Sequence, residues 1–238
     1  MPVESPLRPG QPDDLVLIET FRYEPARFAP AAGFIRLPRH LARMAASAAA
    51  LGFIFDESAA RAKLAAIGDP LVHEDRGAKR IRLSLKRDGA FSLATQPFAP
   101  LPPNSVWRLA IAKNRLDSAD PLLRHKTSRR SAYEKARAEF DAGQADEVLR
   151  CNERGEICEG TITNVFVQRP DGSLATPPLA CGLLPGVLRG ELLDSGRAVE
   201  QVLKPADLGA GAKVFVGNSL RGLIPAALVL NLHGGLHV

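Results

Sequence analysis

The sequence predicts a mixed α/β protein of the α+β kind, arranged as two domains. Three observations lead there. The chain has 238 residues, enough to bury a sizeable core, and its 45% apolar and 24% charged residues match ordinary globular proteins. Its first half mixes strand-like apolar runs with two stretches of helical periodicity. Its second half is mostly short apolar runs punctuated by Gly, Pro and Asp turns.

In order along the chain, residues 1–14 (MPVESPLRPGQPDD) read as a loose arm, rich in Pro and acidic groups, before a first strand at 15–23. A second strand is expected at 33–37. Pro38 then suits the first turn of a helix ending near Gly52, with Leu41, Met44, Ala45, Ala48 and Leu51 as its apolar stripe. A second helix starts at the cap Asp56 and stops at Gly68. A hairpin follows, 80–86 and 91–95 around Asp88-Gly89, and then a strand at 106–113. These elements define a small α/β domain over 1–113, with 114–123 as the linker and 124–238 as a larger β-rich domain.

The larger domain opens with a helix at about 128–142. It continues with strands at 147–151 and 157–168, a turn at Asp171-Gly172 and a helix from near Pro185 to Ser195. Strands at 199–203, 213–217 and 224–231 complete it.

Several functions lose support at this level. The net charge of +5 and pI near 9.4 come largely from scattered arginines, and the basic runs lack the interleaved aromatics or motif spacing of a nucleic-acid binder. Small anionic substrates suit the same charge. Cys151, Cys158 and Cys181 form no CxxC pair, which fits a reduced cytoplasmic setting and gives no metal site. No stretch has the length of a membrane span and the N-terminus lacks a signal layout, so the protein is expected in the cytoplasm, off the membrane. Walker, GxGxxG, GxSxG and HExxH motifs are missing.

What stands out instead is a series of short segments: ETFR near residue 20, HLARMAAS from 40, HKTSRR from 125, EGTITNVFV from 159, GLLPGVLRGELL from 182 and VGNSLRGL from 216. In that order, over about residues 15–230, they resemble the fold-type IV pyridoxal-phosphate enzymes. That family includes branched-chain and D-amino-acid transaminases and aminodeoxychorismate lyases. HKTSRR, the run TPPLACGLLPGVLRGELL and VGNSLRGL are most similar to the lyases. The resemblance implies a two-domain fold with pyridoxal 5'-phosphate in the interdomain cleft, and a homodimer. It also implies conversion of 4-amino-4-deoxychorismate to 4-aminobenzoate and pyruvate, a step of folate biosynthesis. A transaminase of branched-chain or D-amino acids is the alternative, and a non-catalytic cofactor-binding domain is the alternative from another class.

A pyridoxal site needs an amine to hold the aldehyde, a carboxylate to keep the ring nitrogen protonated and an anion hole for the phosphate. By resemblance, Lys126 is the Schiff-base lysine and Glu159 the carboxylate; a surface lysine and a solvated strand-end glutamate are the plainer readings of each. Gly186, Val187 and Leu188, at a helix N-terminus, would bind phosphate through backbone groups. Relatives often have a hydroxyl residue where Leu188 stands. Arg43 matches a phosphate-binding arginine and shares a helical face with His40 and Ser47, a face that could equally be merely solvated. His40 is read as supporting. Asn218 and Ser219 are further cofactor contacts, and Arg22, Arg129, Arg130 and Arg221 are the candidates for substrate carboxylates. Tyr133 stands open, because relatives carry a cofactor-contacting tyrosine where this chain has Ser131; a core tyrosine is as good a reading.

Overall fold

The computed structural model describes residues 15–25, 33–73, 77–141 and 143–231. The expected arm at 1–14 lies outside them. By contacts the chain divides into two units, Met1–Ala99 with His125–Arg129, and Pro100–Arg124 with Arg130–Val238.

The first unit is built on a four-stranded antiparallel sheet. β1 (Leu17–Glu24) lies between β2 (Gly33–Phe34) and β3 (Lys79–Leu85), and β4 (Phe91–Pro97) pairs with the far side of β3. β3 alternates as its period requires, with Ile81, Leu83 and Leu85 buried on one face. Helix α1 (Leu37–Leu51) packs against β1 and buries Leu41, Met44, Ala48 and Leu51. Leu41, Met44 and Leu51 each contribute about 1.5–3 kcal/mol on full burial, and the Ala48 methyl about 0.8 kcal/mol. The strand expected at 33–37 ends at Phe34, because Arg36 turns left-handed (φ 58°) and Pro38 fixes the first helical turn. At the other end Gly52 closes α1 in the left-handed region (φ 70°), with its N–H on the Ala48 carbonyl.

Asp56 caps α2 (Glu57–His73) as expected, accepting the Ser58 N–H at 2.8 Å. The helix does not stop at Gly68 but runs to His73; a helical glycine costs about 1 kcal/mol and does not by itself end a helix. The hairpin around Asp88-Gly89 stands as expected, with Gly89 at φ 89°.

The second unit holds an eight-stranded mixed sheet in the order β10-β9-β8-β11-β12-β5-β6-β7. Its strands are β5 (Trp107–Ile111), β6 (Glu147–Cys151), β7 (Ile157–Gly160), β8 (Asn164–Gln168), β9 (Leu174–Thr176), β10 (Ala198–Glu200), β11 (Val214–Asn218) and β12 (Gly222–Asn231). Leu109, Ile111, Leu149, Val165, Val216 and Ile224 form the main core on this sheet. Helix α3 (Ser131–Arg137) covers β6 through Ala136. Helix α4 (Val187–Asp194) buries Leu188 and Leu192 against Phe166 and Leu174.

This topology corrects the expected boundaries. β5 pairs in parallel with β12 and β6, so it belongs to the second unit and the division falls at Ala99, not at 113. Its partners are distant in sequence, and local patterning carries no sign of them. Residues 114–123 are packed rather than linking: the Leu116 N–H donates to the Cys151 carbonyl at 2.8 Å, and Pro121–Arg124 forms a 3-10 turn. The helix expected at 128–142 is regular only over Ser131–Arg137. The strand expected at 157–168 is broken at 161–163, where three residues leave the ladder to reach a buried carboxylate, Glu147.

Candidate active site

In the first unit the functional segments gather on β1 and α1. Glu19, from the ETFR segment, is 1% exposed on β1. Arg43 grips it with a two-pronged fork, Nε to Oε1 at 2.8 Å and Nη2 to Oε2 at 2.6 Å. His40 Nδ1 lies 2.5 Å from Oε2. Burial alone would raise the Glu19 carboxyl, but the charge of Arg43 and the hydrogen bonds from His40 and Arg43 outweigh it and bring it down to about 2. His40 is pushed below its usual range, first by burial and against the pull of Glu19. The face carrying His40, Arg43 and Ser47 is therefore a buried polar face, not a solvated one.

Lys126 sits beside β1. Its carbonyl accepts the Ile18 N–H at 2.8 Å, Thr127 bridges to Leu17, and the Ser128 N–H donates to the Val16 carbonyl at 2.8 Å. The segment is thus pinned to the sheet from both sides of the lysine, and the half-buried side chain starts from a fixed backbone. His125 Nδ1 lies 3.0 Å from Ser47 Oγ, which ties the same segment to α1. Arg22 forms an ion pair with Glu24 at 2.7 Å and lies over the Phe98 ring. Arg129 is exposed.

The second unit holds the other group. Glu159, at the end of β7, is 4% exposed, so the solvated reading does not hold. Its Oε1 accepts the Tyr133 O–H at 2.7 Å and its Oε2 the Leu184 N–H at 3.1 Å. Tyr133 is held far above the usual phenol range, by burial first and then by the Glu159 charge. Arg130 donates through Nη2 to the Thr161 carbonyl at 2.7 Å.

Gly186 precedes α4, and Val187 and Leu188 are buried at its first turn, with the Leu188 side chain in the core. Only backbone N–H groups there could reach an anion. A Cβ on Gly186 would fall 1.8 Å from Asn164 Oδ1, so the close approach requires glycine. Asn164 Nδ2 donates to the Leu184 carbonyl, holding that loop. Asn218 bridges the Ile162 carbonyl and the Arg221 N–H, Ser219 is buried, and Arg221 lies over the Trp107 ring.

Sequence reasoning assigned no role to Glu19, Glu147, Arg150 or Asn164, although Glu19 and Asn164 lie in the quoted segments. Glu147 is fully buried and accepts the Val148, Thr161 and Ile162 N–H groups and the Thr161 and Thr163 hydroxyls, all within 3.1 Å. The alternating Thr161 and Thr163 were its one sequence signal. Among the described residues no group of three or more His, Cys, Asp or Glu could hold a metal, and no helix is long and apolar enough to cross a membrane.

A family model described as amino-transferase class IV matches residues 16–229. The chain belongs to that family. A Schizosaccharomyces pombe protein named "Putative aminodeoxychorismate lyase" is 30% identical over 200 residues, covering 82% of this chain and 84% of the relative. A Mesorhizobium loti structure titled a "Putative amino-acid aminotransferase" is 54% identical, with a TM-score of 0.81 over 91% of this chain and 100% of the other. The 4-amino-4-deoxychorismate lyase structure from Pseudomonas aeruginosa is 26% identical, with a TM-score of 0.72 over 90% and 83%. The fold is that of the fold-type IV enzymes, a class that works with pyridoxal phosphate.

Proposed function

We propose that this class IV enzyme uses pyridoxal 5'-phosphate to convert 4-amino-4-deoxychorismate to 4-aminobenzoate and pyruvate. The observation that carries the cofactor is Glu159. A buried carboxylate oriented by two donors is the group a protonated pyridine nitrogen needs, and a cation opposite it offsets the cost of its burial. By the family resemblance, Lys126 would supply the primary amine, and backbone N–H groups at Gly186, Val187 and Leu188, with Arg43, would take the phosphate. Asn218 and Ser219 are further contacts.

When bound, the cofactor supplies an aldehyde to bind the substrate amine and a ring to accept its electrons. Lys126 would hold the cofactor through its side-chain amine. The Lys126 amine, when free, would be the base that takes the proton from the substrate ring carbon bearing the amine; the enolpyruvyl group would leave with the electrons of its C–O bond as the enol of pyruvate, and the ring of 4-aminobenzoate would become aromatic. Glu159 would be the carboxylate that supports the protonated ring nitrogen. Arg22, Arg129, Arg130 and Arg221 are the candidates to bind the two substrate carboxylates.

The choice of lyase is supported by the S. pombe match, which spans more than four fifths of both chains, and by the P. aeruginosa structure. The M. loti structure, at 54% identity, favours a second reading, amino-group transfer between amino and keto acids. One experiment separates them. The holoenzyme spectrum is followed with alanine, leucine and their D-forms, and 4-aminobenzoate is followed by fluorescence when a synthase supplies the substrate. The lyase reading expects 4-aminobenzoate and little bleaching; conversion to pyridoxamine phosphate without 4-aminobenzoate above the synthase-only control refutes it. The resemblance supports a homodimer, and the unpaired cysteines support a cytoplasmic setting; light scattering and cell fractionation test these.

A further inference from the structure

Tyr133 does more in this fold than fill space. Its O–H donates to Glu159 Oε1 at 2.7 Å, while the Leu184 N–H holds Oε2 at 3.1 Å, so the carboxylate plane is fixed at two points. The ring is itself gripped: the guanidinium carbons of Arg130 and Arg150 each lie 4.9 Å from its centroid. Both distances are within cation–π range.

Arg130 is tied to the Thr161 carbonyl, and Arg150 is 1% exposed on β6, opposite Glu159 in the β6–β7 register. Among the described residues the buried Arg150 Nε and Nη1 have no hydrogen-bond partner. Burying such donors costs free energy unless the surroundings offset it, and the available compensation is the π-face of Tyr133 and the charge of Glu159. Cys158 and Glu139 are further titratable groups whose charges act on Arg150. An arginine placed in this way has no evident use as packing alone.

We propose that Tyr133 is a positioning residue for Glu159, held in place by Arg130 and Arg150, and that this assembly sets how strongly Glu159 binds a protonated ring nitrogen. The proposal rests on the reading that Glu159 faces that nitrogen. Arg150 acts twice: it holds the tyrosine ring and it places a fixed positive charge by Glu159. Tyr133 keeps its proton and so remains a donor.

The test compares dissociation constants of the apoprotein for pyridoxal phosphate and for its analogue with carbon in place of the ring nitrogen, both titrated by absorbance. Their ratio isolates the interaction at the nitrogen from binding of the phosphate and aldehyde. The wild type should prefer the natural cofactor, and Glu159→Gln should remove most of that preference. Tyr133→Phe, which keeps the ring, and Arg150→Met should each lower the ratio by about tenfold or more, the scale of one hydrogen bond to a charged group. Neither should lower it further in the Glu159→Gln background.

If Arg150→Met does not fold, Tyr133→Phe decides alone. Should Tyr133→Phe leave the ratio within about twofold of wild type, or weaken both ligands equally, the positioning role is overturned while the reading of Glu159 stands. A ratio indifferent to Glu159→Gln overturns that reading and this proposal together.

Discussion

Replacing Glu19 by Gln keeps the side-chain volume and removes one charge from the centre of the first unit. The carboxylate is 1% exposed and holds a two-pronged bond from Arg43 and a contact with His40. An amide can accept from one of these and turns a donor toward the other. The carboxyl is lowered from its ordinary 4.5 to about 2, and that difference corresponds to about 3 kcal/mol of stability. The low end of the range for breaking a buried ion pair, about 3–5 kcal/mol, agrees.

Because the folded value is the lower one, the contribution is complete above the unfolded value and is lost as pH falls from about 4.5 to about 2. His40, also lowered, has the same sign and begins to cost stability as pH falls below its ordinary 6.5. Urea unfolding followed by circular dichroism from pH 7 to pH 2 measures the sum. Glu19→Gln should be about 3 kcal/mol less stable at pH 7, with the gap closing to within about 1 kcal/mol at pH 2. A gap independent of pH, or absent at pH 7, would refute the argument.

Three further outcomes are expected. Borohydride should fix the yellow cofactor to Lys126 in a peptide map, and Lys126→Ala should lose turnover while still binding cofactor non-covalently; an adduct on another lysine rules out the assignment. Glu147→Gln should cost about 2–4 kcal/mol in urea unfolding, because five donors converge on that carboxylate, and an unchanged midpoint would contradict this. Gly186→Ala should cost about 1–3 kcal/mol by driving out the Asn164 side chain, and Asn164→Ala in the same chain should recover part of it; a neutral Gly186→Ala removes the steric argument.

The sequence by itself determined the local elements and the family. Pro38 and Gly52 bound α1, Asp56 caps α2, Asp88-Gly89 turns the hairpin, and 147–151 is a strand, because capping and turn chemistry act within a few residues. The six quoted segments carried the family and marked Lys126, Glu159 and Arg43 as candidates. Only the tertiary structure decided where β5 belongs, since its parallel partners, β6 and β12, lie far along the chain. It also decided how the buried charges pair. Glu19 with Arg43, Glu159 with Tyr133, and Glu147 with the turn at 161–163 come from separate elements whose approach no periodicity records. Burial makes an unpaired charge costly, so each of these partners is fixed by a fold that local sequence does not display.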